Sequence, residues 1–170
     1  MSGSAEEGDM LVNDFKEALA SWATGVSVVA TRVGDLVYGL TVSSFTSLSL
    51  DPPLILVCVA NRNRLPGMIR EAGGFSVSLL AAGQSEASSY FARSGREPAV
   101  DFDVGHDRTQ CGLPVVKEAM AFVACGLHAE TIVGDHTILV GQVRQASARP
   151  DAEPLLYHRR RYRVFDGTAG

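Results

Sequence analysis

The chain has 170 residues, which suits a single domain, and its 46% hydrophobic and 20% charged residues are ordinary for a globular protein. Its net charge of −4 argues against a nucleic-acid partner, because neutralising phosphates requires clustered Lys and Arg. No apolar run approaches the ~20 residues of a membrane-spanning helix, so no membrane association is expected. Three cysteines without a close pair favour a reducing, cytoplasmic location over secretion.

The N-terminal residues are small and acidic, and they lack the basic and then apolar order of a signal peptide. We expect residues 1–12 to be a flexible tail, followed by one domain over residues 13–166. A first helix is predicted to begin at Asp14 as its N-cap and to end at Gly25. Its apolar residues are spaced for one helix face: Phe15, Leu19 and Trp22.

The next segments alternate between β-rich runs and turn signals. Residues 26–31 and 36–41 flank a Gly-Asp pair, which predicts two strands joined by a tight hairpin. Two prolines then hold the chain extended before an apolar strand over 54–60. The rest of the pattern predicts a helix from Leu65 to Gly73, a strand over 75–80, a helix over 85–91 capped by Ser85, a long surface loop over 95–115, and strands over 121–128, 136–143 and 162–165.

About seven strands and three short helices are therefore expected, without regular alternation between the two. This order favours a mostly antiparallel barrel or sandwich over a parallel α/β sheet.

Six hydroxyl residues precede the apolar strand, namely Thr41, Ser43, Ser44, Thr46, Ser47 and Ser49. Hydroxyls and main-chain N–H groups in this segment can meet the polar edge of a flat heterocycle such as the isoalloxazine ring of flavin, while apolar residues cover its face. The alternative is an ordinary strand edge, rich in β-compatible Thr and turn-compatible Ser. Composition alone favours the alternative.

Three further segments carry chemistry-bearing residues. Arg62 and Arg64 near a helix start can hold a phosphate, although a solvated loop has the same composition. His136 at the mouth of a strand either contacts a second ligand or is a turn histidine bonded to backbone. Residues 101–111 mix carboxylates, imidazole and thiol without a zinc spacing, so a solvated loop and no metal are expected. Rossmann, P-loop and nucleophile-elbow motifs are absent from the sequence.

Six stretches, in this order, resemble the flavin reductase domain family, which includes the small reductase components of two-component flavin-dependent monooxygenases. They are TGVSVVAT (24–31), YGLTVSSFTSLSLDPPLILVCV (38–59), FSVSLLAAGQ (75–84), YFA (90–92), GDHTILVGQV (134–143) and PLLYHRRRYR (154–163). The resemblance implies a mainly β fold, an antiparallel, Greek-key-like split β-barrel of the FMN-binding type with a few flanking helices. It also implies a homodimer with flavin near the dimer interface.

The implied activity is that of an NAD(P)H:flavin oxidoreductase. It reduces FAD or FMN with NADH, or with NADPH, and supplies the free reduced flavin by diffusion to a partner monooxygenase. The resemblance places these residues around the flavin: Thr41, Val42, Ser43, Ser44, Ser47, Leu48, Cys58, Ala60, Asn61, Arg62, Asn63, Arg64, Ser78, Gln84, Phe91 and Ala92. It places His136, Arg159 and Tyr162 on the nicotinamide side.

Hydride transfer needs two flat rings face to face, with reacting atoms about 3–3.5 Å apart, and few acids or bases. We expect main-chain N–H groups of the serine segment to stabilise the negative charge that develops on the ring. His136 is expected to position the nicotinamide or its ribose rather than to donate an obligatory proton. Two alternatives stay open, a flavin- or haem-binding split barrel without turnover and an enzyme similar to pyridoxamine-phosphate oxidase.

Overall fold

The computed structural model describes residues 3–165 of the protein, and the side chains of residues 8–165. Its helices are α1 (Gly3–Ala20), α2 (Leu65–Ala72) and α3 (Ser85–Ala92). Its strands are β1 (Thr24–Gly25), β2 (Ser27–Val33), β3 (Leu36–Val42), β4 (Thr46–Leu50), β5 (Pro53–Ala60), β6 (Gly74–Leu79), β7 (His106–Arg108), β8 (Pro114–Val116), β9 (Ala121–Val133), β10 (His136–Ala148), β11 (Leu155–His158) and β12 (Arg161–Val164).

The main sheet has seven antiparallel strands in the order β3-β2-β6-β9-β10-β5-β4. Its two edges, β3 and β4, are not paired with each other, so the sheet stays open as in a split barrel. Two small sheets accompany it, β1-β11-β12 and β7-β8. The prediction of a mainly β, antiparallel fold is confirmed.

Strand β2 is buried on both faces over its first five residues, which explains the consecutive apolar residues Val28, Val29 and Ala30. Val29 points into one core cluster, which includes Phe75 and is covered by α2. Val28 points to the opposite face, into a second cluster that includes Phe91 and Phe102. Side chains alternate across a strand, so one strand can serve two cores. Helices α2 and α3 therefore lie against different cores, and both pack beside the edge strand β3.

The predicted start of the first helix is wrong. Helix α1 begins at Gly3 and ends at Ala20, so Asp14 lies in its interior, and residues 3–12 of the expected tail are helical. Met10 and Leu11 are good helix formers and continue the apolar pattern toward the N-terminus, which the acidic composition had obscured. The mobility of this segment and a domain boundary at residue 13 remain predictions.

The expected surface loop over 95–115 is wrong in part. It contains β7 and the start of β8, and Phe102 within it is only 3% exposed. The ring of Phe102 meets that of Phe91 edge-on at 4.8 Å between centroids. A single aromatic residue thus anchors a segment whose charges and glycines are typical of a loop. Among the helices within residues 3–165, none is both long and apolar enough to cross a membrane.

Candidate functional site

A cavity of about 220 Å³ lies between β3, α3 and the β11–β12 hairpin, and we call it the ring cavity. It is lined by Val26, Thr41, Val42, Ser43, Ser88, Ala92, Tyr157 and Tyr162. None of these side chains carries a charge at neutral pH. The lining therefore combines aliphatic and aromatic surface with a few hydroxyl groups, which suits a flat, polar-edged ligand.

Hydrogen bonds to Ser88 fix the walls of the ring cavity. The Thr41 hydroxyl donates to the carbonyl oxygen of Ser88 at 2.7 Å, and the Tyr162 hydroxyl donates to Ser88 Oγ at 2.9 Å. Ser88 and Ala92 are four residues apart, so they share the face of α3 that meets the cavity. Strands β3 and β12 are thereby held to the same helix, which gives the cavity a fixed width.

Gly39 allows α3 to approach β3 closely. A Cβ atom at this position would lie 3.0 Å from Cε1 of Phe91, so a larger residue could be accommodated only if the Phe91 ring shifted. Arg96 holds the contact from the other side, because its guanidinium donates to the carbonyl oxygens of Gly39 and Phe91. The position of Ala92 beside the cavity follows from this close packing.

Two adjacent serines of the hydroxyl-rich segment have different roles. The Ser44 hydroxyl accepts the N–H of Cys58 at 3.0 Å and donates to the carbonyl oxygen of Cys58 at 2.9 Å, so it joins the segment to β5. The Ser43 hydroxyl has no hydrogen-bond partner within the part of the chain that the structure describes, and Ser43 is exposed at the cavity. The hydroxyl available to a ligand is therefore that of Ser43.

Residues 61–64 form a turn between β5 and α2, and we call it the arginine turn. Asn61 fixes its start, because its main-chain N–H donates to Asp135 O at 2.8 Å and its side chain accepts the Thr137 hydroxyl at 2.7 Å. Asn63 fixes its end, since its side-chain oxygen accepts the N–H of Leu65 at 2.9 Å. The turn is thus rigidly joined to β10 and to the first turn of α2.

Arg64 is paired within the turn. Its guanidinium makes two hydrogen bonds with the Glu97 carboxylate, one of them 2.7 Å long between Nη2 and Oε1. It also lies 5.8 Å from the ring centroid of Tyr38 on β3. The hydrogen bond to Glu97 raises the pKa of Arg64 further above its usual value. The pKa of Asp135 is lowered mainly by its hydrogen bond with His136, and the positive charge of the exposed Arg62 adds to this effect.

His136 lies at the same end of the molecule as the arginine turn. It is the first residue of β10, and it pairs in register with Ala60 at the end of β5. Its Nδ1 lies 2.7 Å from Oδ1 of Asp135, and the hydrogen bond from His136 lowers the pKa of the Asp135 carboxyl. The His136 side chain is 47% exposed, so its other ring nitrogen is accessible to a ligand. It is not part of the ring-cavity lining.

Some expected flavin residues have structural roles elsewhere. Ser78 is fully buried on β6 and accepts the N–H of Val116 at 3.0 Å. Gln84 precedes α3, accepting the N–H of Ala81 and donating to the carbonyl oxygen of Lys117. Gln84 rather than Ser85 therefore occupies the N-cap position of α3. These side chains are not part of the ring-cavity lining.

Four more expected residues also lie outside the ring cavity. Ser47 and Leu48 are exposed on the edge strand β4, where the pairing with β5 has a bulge. Phe91 is fully buried in the core behind α3. Arg159 lies in the β11–β12 turn with a φ of 49°, and its main-chain N–H donates to Ala20 O at 2.8 Å.

Sequence reasoning missed three residues of the lining: Val26, Ser88 and Tyr157. Ser88 stands four residues before Ala92 on a predicted helix, and this spacing was a usable signal for a shared face. Tyr157 pairs with Tyr162 across the hairpin, and the centroids of their rings are 5.6 Å apart. Recognising that pair required the hairpin register, which the sequence pattern did not provide.

Known proteins match this chain along most of its length. A family model described as "Flavin reductase like domain" matches residues 19–166. The reductase component of 4-hydroxyphenylacetate 3-monooxygenase from Thermus thermophilus is 42% identical over 149 residues, which cover 88% of this chain and 93% of the relative. An NADH-dependent FAD reductase from Streptomyces globisporus is 37% identical over 157 residues, which cover 89% and 84%.

The fold is shared with solved structures as well. An NADH:FAD oxidoreductase of Streptomyces globisporus, in complex with NAD and FAD fragments, superposes with a TM-score of 0.84 at 33% identity, over 92% of this chain and 93% of that chain. The prediction of a split barrel is confirmed. The shared fold and the family match define the class as that of the flavin reductases. This chain belongs to the flavin reductase like domain family.

Proposed function

We propose that this protein is a flavin reductase that uses NADH to reduce FAD or FMN. The observation that carries the proposal is the ring cavity, whose neutral lining and exposed Ser43 hydroxyl fit a flat heterocycle with a polar edge. The named relatives at 42% and 37% identity are a monooxygenase reductase component and an NADH-dependent FAD reductase. Flavin, when bound, accepts the hydride, so the protein need supply only binding, orientation and electrostatics.

The chain's own residues account for the binding of the ring. Val42 and Ala92 offer apolar surface to its face, and Ser43 offers a hydroxyl to its edge. The hydrogen bonds of Ser44 to Cys58 hold this segment in place, so little motion is needed when a ligand enters. Arg62 and Arg64 at the arginine turn offer positive charge to a flavin phosphate.

His136 is proposed to position the hydride donor. Its Nδ1 is engaged by Asp135, which orients the imidazole ring, and the side chain is 47% exposed, so Nε2 is proposed to face the hydride donor. An oriented and accessible nitrogen can hold an amide or a ribose hydroxyl of NADH. In this role His136 contributes to nicotinamide affinity and leaves the transferred hydride to the two cofactors.

The test is an anaerobic mixture of purified protein, FAD and NADH. Loss of flavin absorbance near 450 nm at a rate far above that of the protein-free mixture supports the proposal. Unchanged absorbance with FAD, FMN and riboflavin, with either NADH or NADPH, contradicts it and favours a binding protein without turnover. Comparing the three flavins in one series also establishes which of them the protein prefers.

The protein is further proposed to act as a homodimer. Helix α1 exposes Phe15 and Leu19, and Trp22 just beyond it is 72% exposed. Trp22 and Ser43 line a common concavity, so this apolar surface is continuous with the mouth of the ring cavity. A second copy would cover both, because exposed apolar patches of this kind mark interfaces. Light scattering should give a dimer mass, and Trp22→Asp should shift the mass toward the monomer.

The reduced flavin is proposed to leave the protein and to reach a separate monooxygenase by diffusion. The family model covers residues 19–166, and the relatives of this chain include named reductase components of monooxygenases. The three cysteines, Cys58, Cys111 and Cys125, are free thiols, which a reducing compartment permits, so the proposed location is the cytoplasm.

A further inference from the structure

The carboxylate of Glu97 is paired with Arg64, the arginine that is proposed to bind the flavin phosphate. Its two oxygens accept two hydrogen bonds from the Arg64 guanidinium. A phosphate monoester presents the same pattern to arginine, with two oxygens accepting two parallel N–H groups. Carboxylate and flavin phosphate would therefore use the same donor groups on Arg64.

The segment that carries Glu97 is held in place by its neighbours. On one side, Arg96 donates to the carbonyl oxygen of Gly39, and its guanidinium lies 4.8 Å from the Tyr90 ring centroid and 5.3 Å from that of Tyr38. On the other side, Val37 and Ala99 exchange two main-chain hydrogen bonds of 2.7 and 3.1 Å. Residues 96–99 thus run along the open edge of β3, and Glu97 is directed toward Arg64 by this fixed backbone.

Strand β3 carries residues that contact Arg64 and residues that line the ring cavity. Tyr38 lies beneath Arg64, and Thr41 forms part of the cavity wall three residues further along the strand. At about 3.3 Å per residue, the two positions are roughly 10 Å apart. The ribityl chain of a flavin joins ring and phosphate over a distance of this order. Because Tyr38 and Thr41 are three positions apart, their side chains lie on opposite faces of β3. A flavin with its ring in the cavity would therefore have to pass around the open edge of β3, where Glu97 lies, to bring its phosphate to Arg64.

The Arg64–Glu97 pair is also exposed enough to open. The Arg64 side chain is 43% exposed and that of Glu97 is 72% exposed. Exposed ion pairs contribute little net free energy, because water and salt screen the charges and holding two long side chains costs entropy. A dianionic phosphate attracts a guanidinium more strongly than one carboxylate does, so it can displace Glu97.

We propose that Glu97 competes with the flavin phosphate for Arg64 and thereby weakens the binding of FMN and FAD without affecting the ring. This inference rests on the proposed function, because it assigns a specificity role at the same site. The competition would assist release of the flavin, since Glu97 returns to Arg64 as the phosphate departs. It also predicts that the phosphate of FMN adds less affinity, relative to riboflavin, than it would if Arg64 had no carboxylate partner.

The experiment compares the dissociation constants of FMN and riboflavin, which lacks the phosphate, for the wild type and Glu97→Gln. The variant should bind FMN about two- to fivefold more tightly, the factor that corresponds to one exposed ion pair. Its affinity for riboflavin should not change. Glu130→Gln is the matched control, because Glu130 makes the same two-oxygen pair with Arg70 outside the site, at 2.8 and 3.0 Å. It should change neither constant.

Two further variants separate competition for Arg64 from simple charge repulsion between Glu97 and the phosphate. They are the single variant Arg64→Gln and the double variant that combines Arg64→Gln with Glu97→Gln. If Glu97 acts through Arg64, its removal should give little further gain in FMN affinity once the arginine is absent. An undiminished gain in that background would contradict the proposal, and so would unchanged FMN affinity in Glu97→Gln or an equal gain for riboflavin. If the wild type reduces flavin but the variants give any of these contradicting results, only this inference is overturned. Failure to bind or reduce any flavin overturns the proposed function as well.

Discussion

The ring cavity and the arginine turn are built in different ways. The walls of the cavity are neutral and are held by hydrogen bonds from Thr41, Ser44 and Tyr162 to main-chain or hydroxyl groups. The arginine turn is fixed by hydrogen bonds of Asn61 and Asn63, but its arginine head group is exposed and ion-paired. One region therefore offers shape, and the other offers charge.

This difference separates two contributions to flavin affinity. Apolar contact and neutral hydrogen bonds in the cavity depend weakly on salt, and they act on every flavin. Charge at Arg64 is screened by salt and acts only on flavins that carry a phosphate. Measuring the dissociation constants of FMN and riboflavin at two salt concentrations should therefore separate the contribution of the arginine turn from that of the ring cavity.

The largest effect is expected from filling the ring cavity. Ala92→Leu adds three carbon atoms to the lining, and because overpacking typically costs 1–3 kcal/mol, flavin affinity should fall by about tenfold or more. FMN, FAD and riboflavin should be affected alike, as measured by fluorescence titration. Ala72→Leu is the matched control, since Ala72 is the exposed last residue of α2 as Ala92 is of α3. A loss confined to FMN and FAD would contradict the assignment of the ring to this cavity.

Removal of the His136 imidazole should affect the hydride donor rather than the flavin. His136→Ala is expected to raise the KM for NADH about tenfold, the equivalent of one good hydrogen bond, while the limiting rate of flavin reduction changes much less. Stopped-flow measurements at increasing NADH concentrations separate the two quantities. His128→Ala, on the exposed face of β9, is the control and should behave as wild type. A limiting rate that falls by orders of magnitude would give His136 a direct role in the chemistry.

Neutralising the arginine turn should have a smaller and selective effect. Arg64→Gln is expected to weaken FMN about fivefold at low salt and to leave riboflavin unchanged, because an exposed charge contributes only modestly. The loss should shrink at high salt, where the wild-type contribution is screened. Arg70→Gln removes an equally paired arginine from α2 and serves as the control. Equal weakening of riboflavin would mean that Arg64 supports the ring rather than the phosphate.

The two adjacent serines should give the smallest and most contrasting effects. Ser44→Ala removes both hydrogen bonds to Cys58, so the free energy of unfolding should fall by about 1–2 kcal/mol. Ser43→Ala should change that free energy by less than about 0.5 kcal/mol and weaken flavin binding about threefold. Urea unfolding and flavin titration of both variants measure these quantities. The opposite assignment, with Ser43 stabilising and Ser44 only binding, would contradict the account.

Local patterns in the sequence predicted most of the strands of the main sheet, because buried strands leave long apolar runs. No separate strand was assigned to β4, because its hydroxyl residues are also typical of a loop, although the strand edge given as the alternative agrees with its position at the sheet edge. The role of Ser44 depends on Cys58, which is 14 residues away, and the role of Arg64 depends on Glu97, which is 33 residues away. Such contacts are set by how strands and loops pack together, and no local pattern contains them.

The candidate site was predictable to a similar extent. Four of the residues predicted around the flavin line the ring cavity, namely Thr41, Val42, Ser43 and Ala92. Tyr162 lines it too, although it was predicted on the nicotinamide side with His136. Their binding role remains a prediction. Ser88 and Tyr157 were missed because they reach the cavity only through the docking of α3 and the register of a hairpin.

A crystal structure of the protein with FMN tests the central claim most directly. The account predicts the isoalloxazine ring between Ser43, Ala92 and Tyr162, with the phosphate within about 3 Å of the Arg64 guanidinium and Glu97 turned away from it. A ring bound elsewhere on the protein, or a phosphate that leaves the Arg64–Glu97 pair intact, would contradict it.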